Sequence, residues 1–190
     1  MNTNYTFKKS AIEKSQYWEL TDQGIVRRQQ GRNDMHIPYS KVQSIRLLFL
    51  ANNRYRLNNY CCRITAGKTV FDIYSSSYEG VGKFGEQASS YVPFVKELVQ
   101  KTKSAHPACR ILTGQTAAVY YGNLLLTVIV VIGLMLIFQY LPISWGLSLI
   151  IKLLLIGYLG FYILKSIKVN KPRQVEGSEI PNYCLPKDIK

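Results

Sequence analysis

Five arginines are the residues of this 190-residue chain that are best suited to bind a ligand. They form two clusters, which are Arg27, Arg28 and Arg32, and then Arg54 and Arg56. A guanidinium presents a rigid fork of donors that matches phosphate and carboxylate groups, and each basic residue near a bilayer contributes about 1 kcal/mol to contact with anionic lipids. The pattern predicts a ligand- or headgroup-binding surface. The alternative is a set of solvated loop charges.

The glycines Gly80, Gly82 and Gly85 form a G-x-G-x-x-G pattern. Dinucleotide binding requires this turn directly between a strand and a helix, with an acidic residue about 20 positions later. No acidic residue lies near position 105, and no parallel βαβ unit fits before the apolar segment that follows. We therefore interpret the stretch as a flexible loop and predict no cofactor.

Catalytic and metal-binding patterns are weak. Asp34 and His36 share a strand face, but no nucleophile motif or carboxylate pair accompanies them. The four cysteines are scattered without a C-x-x-C spacing, which gives no support to a zinc site or a disulfide framework. We predict a protein that is not an enzyme and has no metal site.

A long apolar segment dominates the second half of the chain. Residues 117–164 contain a single charged side chain, Lys152, and are too long for one helical crossing of about 30 Å of hydrocarbon. The segment divides at Pro142, so we predict a two-helix transmembrane hairpin of residues 117–141 and 143–165.

The charges predict how this hairpin is oriented. The chain carries 24 Lys+Arg and 11 Asp+Glu, a net charge of +13. Basic residues precede the first span and follow the second, and the turn between them is uncharged, which places both termini in the cytoplasm by the positive-inside rule. Since no signal peptide precedes the domain, we predict an integral plasma (inner) membrane protein with two spans. Nucleic acid is not an expected partner, because no reading motif is recognised.

Lys152 is a separate functional hypothesis, because an ionisable residue within a span commonly has a role. Neither span holds an acidic residue that could pair with it. One interpretation is that its long side chain snorkels toward the membrane surface. The other is a pairing with an acidic residue of another chain, or a polar contact within an oligomer.

The region before the spans reads as short strands followed by one helix. Apolar and polar residues alternate through "YWEL", "GIVRRQ", "YCCRIT" and "TVFDIYS", which predicts antiparallel strands with one solvated face. From residue 90 the apolar residues recur every three or four positions, which predicts an amphipathic helix. This order suggests an α+β domain with a bent sheet or open barrel that the helix caps.

The phrases "LTDQGI", "IPYSKVQSI" and "RITAG" resemble the bacterial pleckstrin-homology-like (PH-like) domains of small membrane proteins. The resemblance covers roughly residues 15–103 and implies an antiparallel PH-like β-barrel or sandwich with a C-terminal capping helix. Two features depart from the pattern. Here the spans follow the domain, and the first hairpin loop, Thr21-Asp22-Gln23, has no basic residue for a phosphoinositide pocket.

Together these observations predict a cytoplasmic PH-like domain (1–105), a linker (106–116), two spans and a disordered cytoplasmic tail (166–190). The expected function is that of a non-enzymatic, membrane-anchored binding or scaffold protein. Its domain would dock a protein partner or the anionic membrane surface, and a homo-oligomer is an expected state. The alternative is a small subunit of a larger transport or envelope-related membrane assembly, with Lys152 paired to a partner helix.

Overall fold

The computed structural model describes residues 3–50, 59–140, 154, 157, 170–175 and 180–186, the side chains of 137–140 excepted. It divides into two compact units. The first, which we call the sheet domain, comprises Met1–Gly114 and Arg173–Lys190, and the second comprises Gln115–Pro172. The sheet domain therefore encloses the second unit in sequence.

The strands of the sheet domain are β1 (Thr3–Phe7), β2 (Gln16–Leu20), β3 (Gly24–Gln29), β4 (Met35–Pro38), β5 (Val42–Phe49), β6 (Tyr60–Ala66), β7 (Thr69–Tyr74), β8 (Ser76–Gly80), β9 (Lys83–Glu86), β10 (Arg110–Thr113) and β11 (Arg173–Val175). They form a four-stranded sheet in the order β1-β2-β3-β4, a five-stranded sheet in the order β11-β10-β5-β6-β7, and the β8-β9 hairpin. Neighbouring strands are antiparallel except β5 and β10, which are parallel.

Alternation of apolar and polar residues explains the two larger sheets. On β2, Gln16, Trp18 and Leu20 are buried and the residues between them are only partly so. The predicted hairpin around Gly67 is present, and its cross-strand partners Cys62↔Ile73 and Ile64↔Phe71 all face the core. Since a one-residue slip would turn these side chains to solvent, the burial pattern fixes the register.

Helix α1 (Ala88–Ala105) packs against β1 and completes the core. Its buried side chains are those of the predicted apolar stripe, Tyr91, Phe94, Val95, Leu98, Val99 and Thr102. Tyr91 and Phe94 stack with Tyr5 of β1, at ring centroid distances of 5.7 and 5.5 Å. The helix thus buries its stripe mainly on an N-terminal strand that the sequence did not predict.

The described part of the tail belongs to the sheet domain. Strand β11 pairs antiparallel with β10, with Thr113 opposite Arg173. A 3₁₀ turn (Asn182–Cys184) follows, and both Cys184 and Leu185 are buried in the core. The prediction of a disordered tail is therefore wrong for these residues, because a few apolar side chains within a polar segment are enough to anchor it.

The predicted fold class is wrong in two respects. Within the described residues, the first and last strands of each larger sheet do not pair with each other. The sheets are therefore open and do not close into a PH-like barrel. The capping helix is also not the last element, because β10 and β11 add an edge to the five-stranded sheet. Local alternation predicted the strands, but closure of a sheet depends on pairings between distant segments, which alternation does not encode.

In the second unit, helix α2 (Ala117–Tyr140) contains a segment, Ala117–Leu136, with a mean hydropathy of 2.2 and none of it buried by protein. It is the one helix within the described residues that is long and apolar enough to cross a membrane. The predicted two-helix hairpin, and the localisation with two spans and both termini in the cytoplasm, are therefore wrong. Of the predicted second span, 143–165, all but residues 154 and 157 lie outside the described residues.

Candidate functional site: an arginine cleft between the sheets

Strand β3 sends its two adjacent arginines to opposite faces. Side chains alternate along a strand, so Arg27 shares a face with Gln29, while Arg28 lies on the other. Arg27 stands directly opposite Trp18 of β2, and Arg28 opposite Tyr17. The strand register therefore separates two neighbours that the sequence had grouped in one contact set.

Arg27 lies in a cleft of about 300 Å³ that is walled by β2 and β3 on one side and by β7 on the other. The loop between β1 and β2 and the turn after β3 complete it. The residues that line the cleft are Lys9, Glu13, Gln16, Trp18, Arg27, Gln29, Arg32, Val70, Phe71, Asp72 and Tyr74. The cleft thus joins two sheets and brings Arg27 and Arg32 together.

Aromatic rings and one amide hold the Arg27 guanidinium. Its central carbon lies 5.6 Å from the Trp18 ring centroid and 5.8 Å from that of Phe71. These two rings meet edge to face, with centroids 5.8 Å apart. Arg27 Nη2 also donates to Gln29 Oε1 at 2.9 Å. Cation–π contacts and this hydrogen bond fix the orientation of the guanidinium before any ligand arrives.

Two buried donors beside the cleft lack acceptors. Arg27 Nε and Trp18 Nε1 are both buried, and neither has a hydrogen-bond partner among the described residues. Burial lowers the pKa of Arg27 and the positive charge of Arg32 lowers it further, whereas the negative charge of Glu13 raises it. Leaving a buried donor unpaired costs about 1–3 kcal/mol, so an acceptor that reached these atoms would recover part of that cost.

The other charges that line the cleft largely cancel. Lys9 Nζ lies 3.5 Å from Glu13 Oε1. Asp72 accepts two hydrogen bonds from Arg63, at 2.7 and 2.8 Å. Neither Arg27 nor Arg32 has a carboxylate within ion-pair distance in the described part of the chain. The cleft therefore retains an excess of positive charge that its own acids do not neutralise.

Arg28 has partners of its own outside the cleft. Its guanidinium pairs with Glu19 and with Asp34, each at 3.2 Å, and stacks on Tyr17 at 5.6 Å. Asp34 is thereby engaged with an arginine, and His36 is exposed on β4. Arg28 is thus a structural residue of the sheet surface and not a member of the cleft.

Arg54, Arg56 and Lys152 lie outside the described residues. The glycine pattern, predicted to be a flexible loop, spans the β8-β9 hairpin, where Gly82 takes a positive φ of 70° at the turn. No group of three His, Cys, Asp or Glu side chains suitable for a metal is present where the structure describes the chain.

Sequence analysis missed the aromatic wall and the lysine of the cleft. Trp18 and Phe71 belong to predicted strands, but they reach Arg27 from two different sheets. The one usable signal was the tight turn Thr21-Asp22-Gln23, because a hairpin there places Trp18 near Arg27. The contribution of β7 comes from packing between the sheets, which no local pattern reveals.

Comparison with protein-family models, with curated proteins and with solved structures found no match. The resemblance to PH-like domains therefore stays a prediction.

Proposed function

We propose that this chain is a non-enzymatic, membrane-anchored binding protein whose sheet domain holds an anionic group in the arginine cleft. The observation that carries the proposal is the environment of Arg27. Trp18 and Phe71 orient its guanidinium, and within the described ranges it has no carboxylate partner and its buried Nε donor has no acceptor. A phosphate or carboxylate supplies acceptors and charge together, and charge-assisted bonds are about twice as strong as neutral ones.

The anchor in this proposal is the segment Ala117–Leu136 of α2. Its apolar side chains, such as Leu125 and Ile129, are more than half exposed, and water-exposed apolar surface on this scale is rare in soluble monomers. A 24-residue helix spans about 36 Å, which exceeds the hydrocarbon thickness. We expect the chain to remain in the membrane pellet after alkaline carbonate extraction, and release into the supernatant would refute the anchor.

Anion binding is tested on the full chain in phosphatidylcholine nanodiscs, with Trp18 fluorescence as the readout. Replacing Trp145 by Phe leaves Trp18 as the sole indole. Titration with pyrophosphate should give a saturable change. Arg27→Gln should weaken binding about tenfold or more, because a charged hydrogen bond contributes about 1.5–3 kcal/mol.

The matched control is Arg28→Gln, one residue away but outside the cleft, which should bind like the parent chain. A second arm omits pyrophosphate and adds phosphatidylglycerol to the nanodiscs. A change in that arm alone identifies a lipid headgroup as the source of the anion, whereas a change with pyrophosphate identifies a soluble ligand. No change in either arm, or equal losses for Arg27→Gln and Arg28→Gln, would refute the cleft.

A further inference from the structure

Two aliphatic side chains, on two different loops, stand almost fully in solvent. Ile12, in the loop between β1 and β2, is 96% exposed, and Val81, at the turn of the β8-β9 hairpin, is 99% exposed. A single exposed aliphatic residue is ordinary. Two such residues on loops that are joined at their bases are less ordinary, because each exposes apolar surface that water does not favour.

The two loops are held together as one structure. Tyr78 N donates to Lys8 O at 2.8 Å, and Lys8 N donates to Ser77 Oγ at 3.0 Å. Lys8 Nζ also lies 5.4 Å from the Tyr78 ring centroid. We call residues 8–15 and 76–86 together the loop edge. Its tips are therefore positioned by backbone contacts.

Basic residues flank Ile12 in the sequence. Residues 8–15 contain three lysines and one acid. Lys14 Nζ lies 3.4 Å from the position that a Cβ on Gly31 would take, so its ammonium reaches the turn that carries Arg32. An exposed aliphatic residue in a lysine-rich loop matches a bilayer interface, where apolar groups enter the acyl boundary and bases contact anionic headgroups.

The strand directions place the loop edge at a defined end of the five-stranded sheet. Strand β7 ends at Tyr74 opposite Cys61, and β5 ends at Phe49 opposite Tyr60, so both end on the same side. The β8-β9 hairpin begins directly after β7. The loop edge is therefore attached at the end where β5 and β7 finish.

The chain leaves the sheet domain at this same end. Strand β10 runs parallel to β5 with Thr113 beside Leu47, and Gly114 N donates to Leu47 O at 2.9 Å. The apolar helix begins three residues later, at Ala117. A domain tethered at one end samples the tethering surface at a high effective concentration, so contacts at that end need little intrinsic affinity.

We propose that the loop edge is a membrane-docking surface, on which Ile12 and Val81 insert into an anionic bilayer and the nearby lysines contact its headgroups. The inference rests on the membrane anchoring proposed above but not on the arginine cleft. A protein partner at this edge is the competing outcome. The bilayer is favoured by the three lysines of residues 8–15 and by the end of the sheet at which the chain leaves it.

The test places an environment-sensitive NBD label at Ile12→Cys or Val81→Cys in the full chain, reconstituted in nanodiscs. The four native cysteines are buried, and the labelled parent chain gives the background. The control is Lys68→Cys, in the β6-β7 turn at the opposite end of the sheet. In discs that contain phosphatidylglycerol, emission at 12 and 81 should shift to the blue and be quenched by spin-labelled acyl chains, whereas emission at 68 should not.

Three controls separate the outcomes. In the first, the label is placed at Ser10→Cys. Replacing both Ile12 and Val81 by asparagine should then abolish the blue shift that this label shows when the two residues are intact. The proposal would be overturned if the labels at positions 12 and 81 emitted like the label at position 68. It would also be overturned by a blue shift without quenching by the lipid spin labels, because that result indicates contact with protein. Failure of the unlabelled chain to stay in the carbonate pellet would instead refute the anchor.

Discussion

Arg27 and Trp18 face each other across the β2-β3 pair, with the guanidinium carbon 5.6 Å from the indole centroid, and both carry a buried N–H that has no acceptor in the part of the chain that the structure describes. Neither donor is needed to build the sheet, since the backbone ladder does that. An unpaired charge beside an unpaired indole lowers stability, and such features concentrate at binding sites. The pair therefore supports the anion-binding role proposed above.

Arg27→Met should stabilise the chain without its ligand. Methionine keeps an apolar stem against Trp18 and removes the buried Nε donor, so we expect a gain of about 1 kcal/mol in the free energy of unfolding. Arg28→Met loses the ion pairs with Glu19 and Asp34 and the contact with Tyr17, and should lower stability by about 1 kcal/mol. Thermal unfolding of the full chain in nanodiscs measures both. A loss of stability in Arg27→Met would show that the guanidinium supports the fold.

Gly24→Ala should destabilise the sheet domain. A Cβ at position 24 would lie 2.4 Å from the backbone oxygen of Ile37, so β3 and β4 would have to separate. We expect a loss of about 1–3 kcal/mol in the free energy of unfolding. Gly80→Ala is the matched control, because no atom lies within 4 Å of its Cβ position. Equal melting temperatures for the two variants would contradict the close approach.

Leu185→Ala tests whether the tail is part of the core. Leu185 is 4% exposed within the main hydrophobic cluster, and truncating a buried leucine costs about 2–5 kcal/mol. Tyr183→Ala, at a residue that is 40% exposed and stacks on Arg173, should cost less than about 1 kcal/mol. The comparison is made by chemical denaturation. If Leu185→Ala unfolded like the parent chain, the packing of the tail would be disproved.

Stability should fall at alkaline pH. Burial raises the pKa of Cys184 from 9.0 to about 11 and that of Tyr39 from 10.0 to about 12, and it raises the pKa of the Cys62 thiol further. The folded chain thus keeps protons that the unfolded chain releases, so these groups reduce stability as pH rises above about 9. Melting temperatures between pH 8 and 11 should decline. Cys62→Ala should flatten the decline, and a slope that is unchanged in this variant would exclude Cys62 as a contributor.

Much of the strand pattern was predictable because burial alternates within each strand. Strands were predicted at residues 17–20, 24–29, 60–65 and 69–75. All of these residues except Ser75 lie in the observed strands β2, β3, β6 and β7. Strands β1, β8, β9, β10 and β11 were not identified. They are short and mostly polar, and β10 and β11 in addition depend on pairings between distant segments, such as Ile111 with Ile45 and Thr113 with Arg173.

The candidate site was predictable only in part. Basic residues near position 30 pointed to an anion, but only the register shows that Arg27 enters the cleft while Arg28 pairs with Glu19. Phe71 could not be assigned to the cleft from sequence, because its contact with Trp18 joins two sheets. Side-chain type thus indicated the chemistry, and long-range packing decided which residues take part.

The pairing of Thr113 with Arg173 joins residues 60 positions apart, and this separation has a consequence for biosynthesis. The ribosome completes β10 well before it completes β11, so the nascent sheet presents an unpaired edge while the intervening apolar residues are made. Such an edge is a template for association with other chains. We therefore expect the domain to mature late in translation, and a chain that stalls within residues 115–172 to be aggregation-prone.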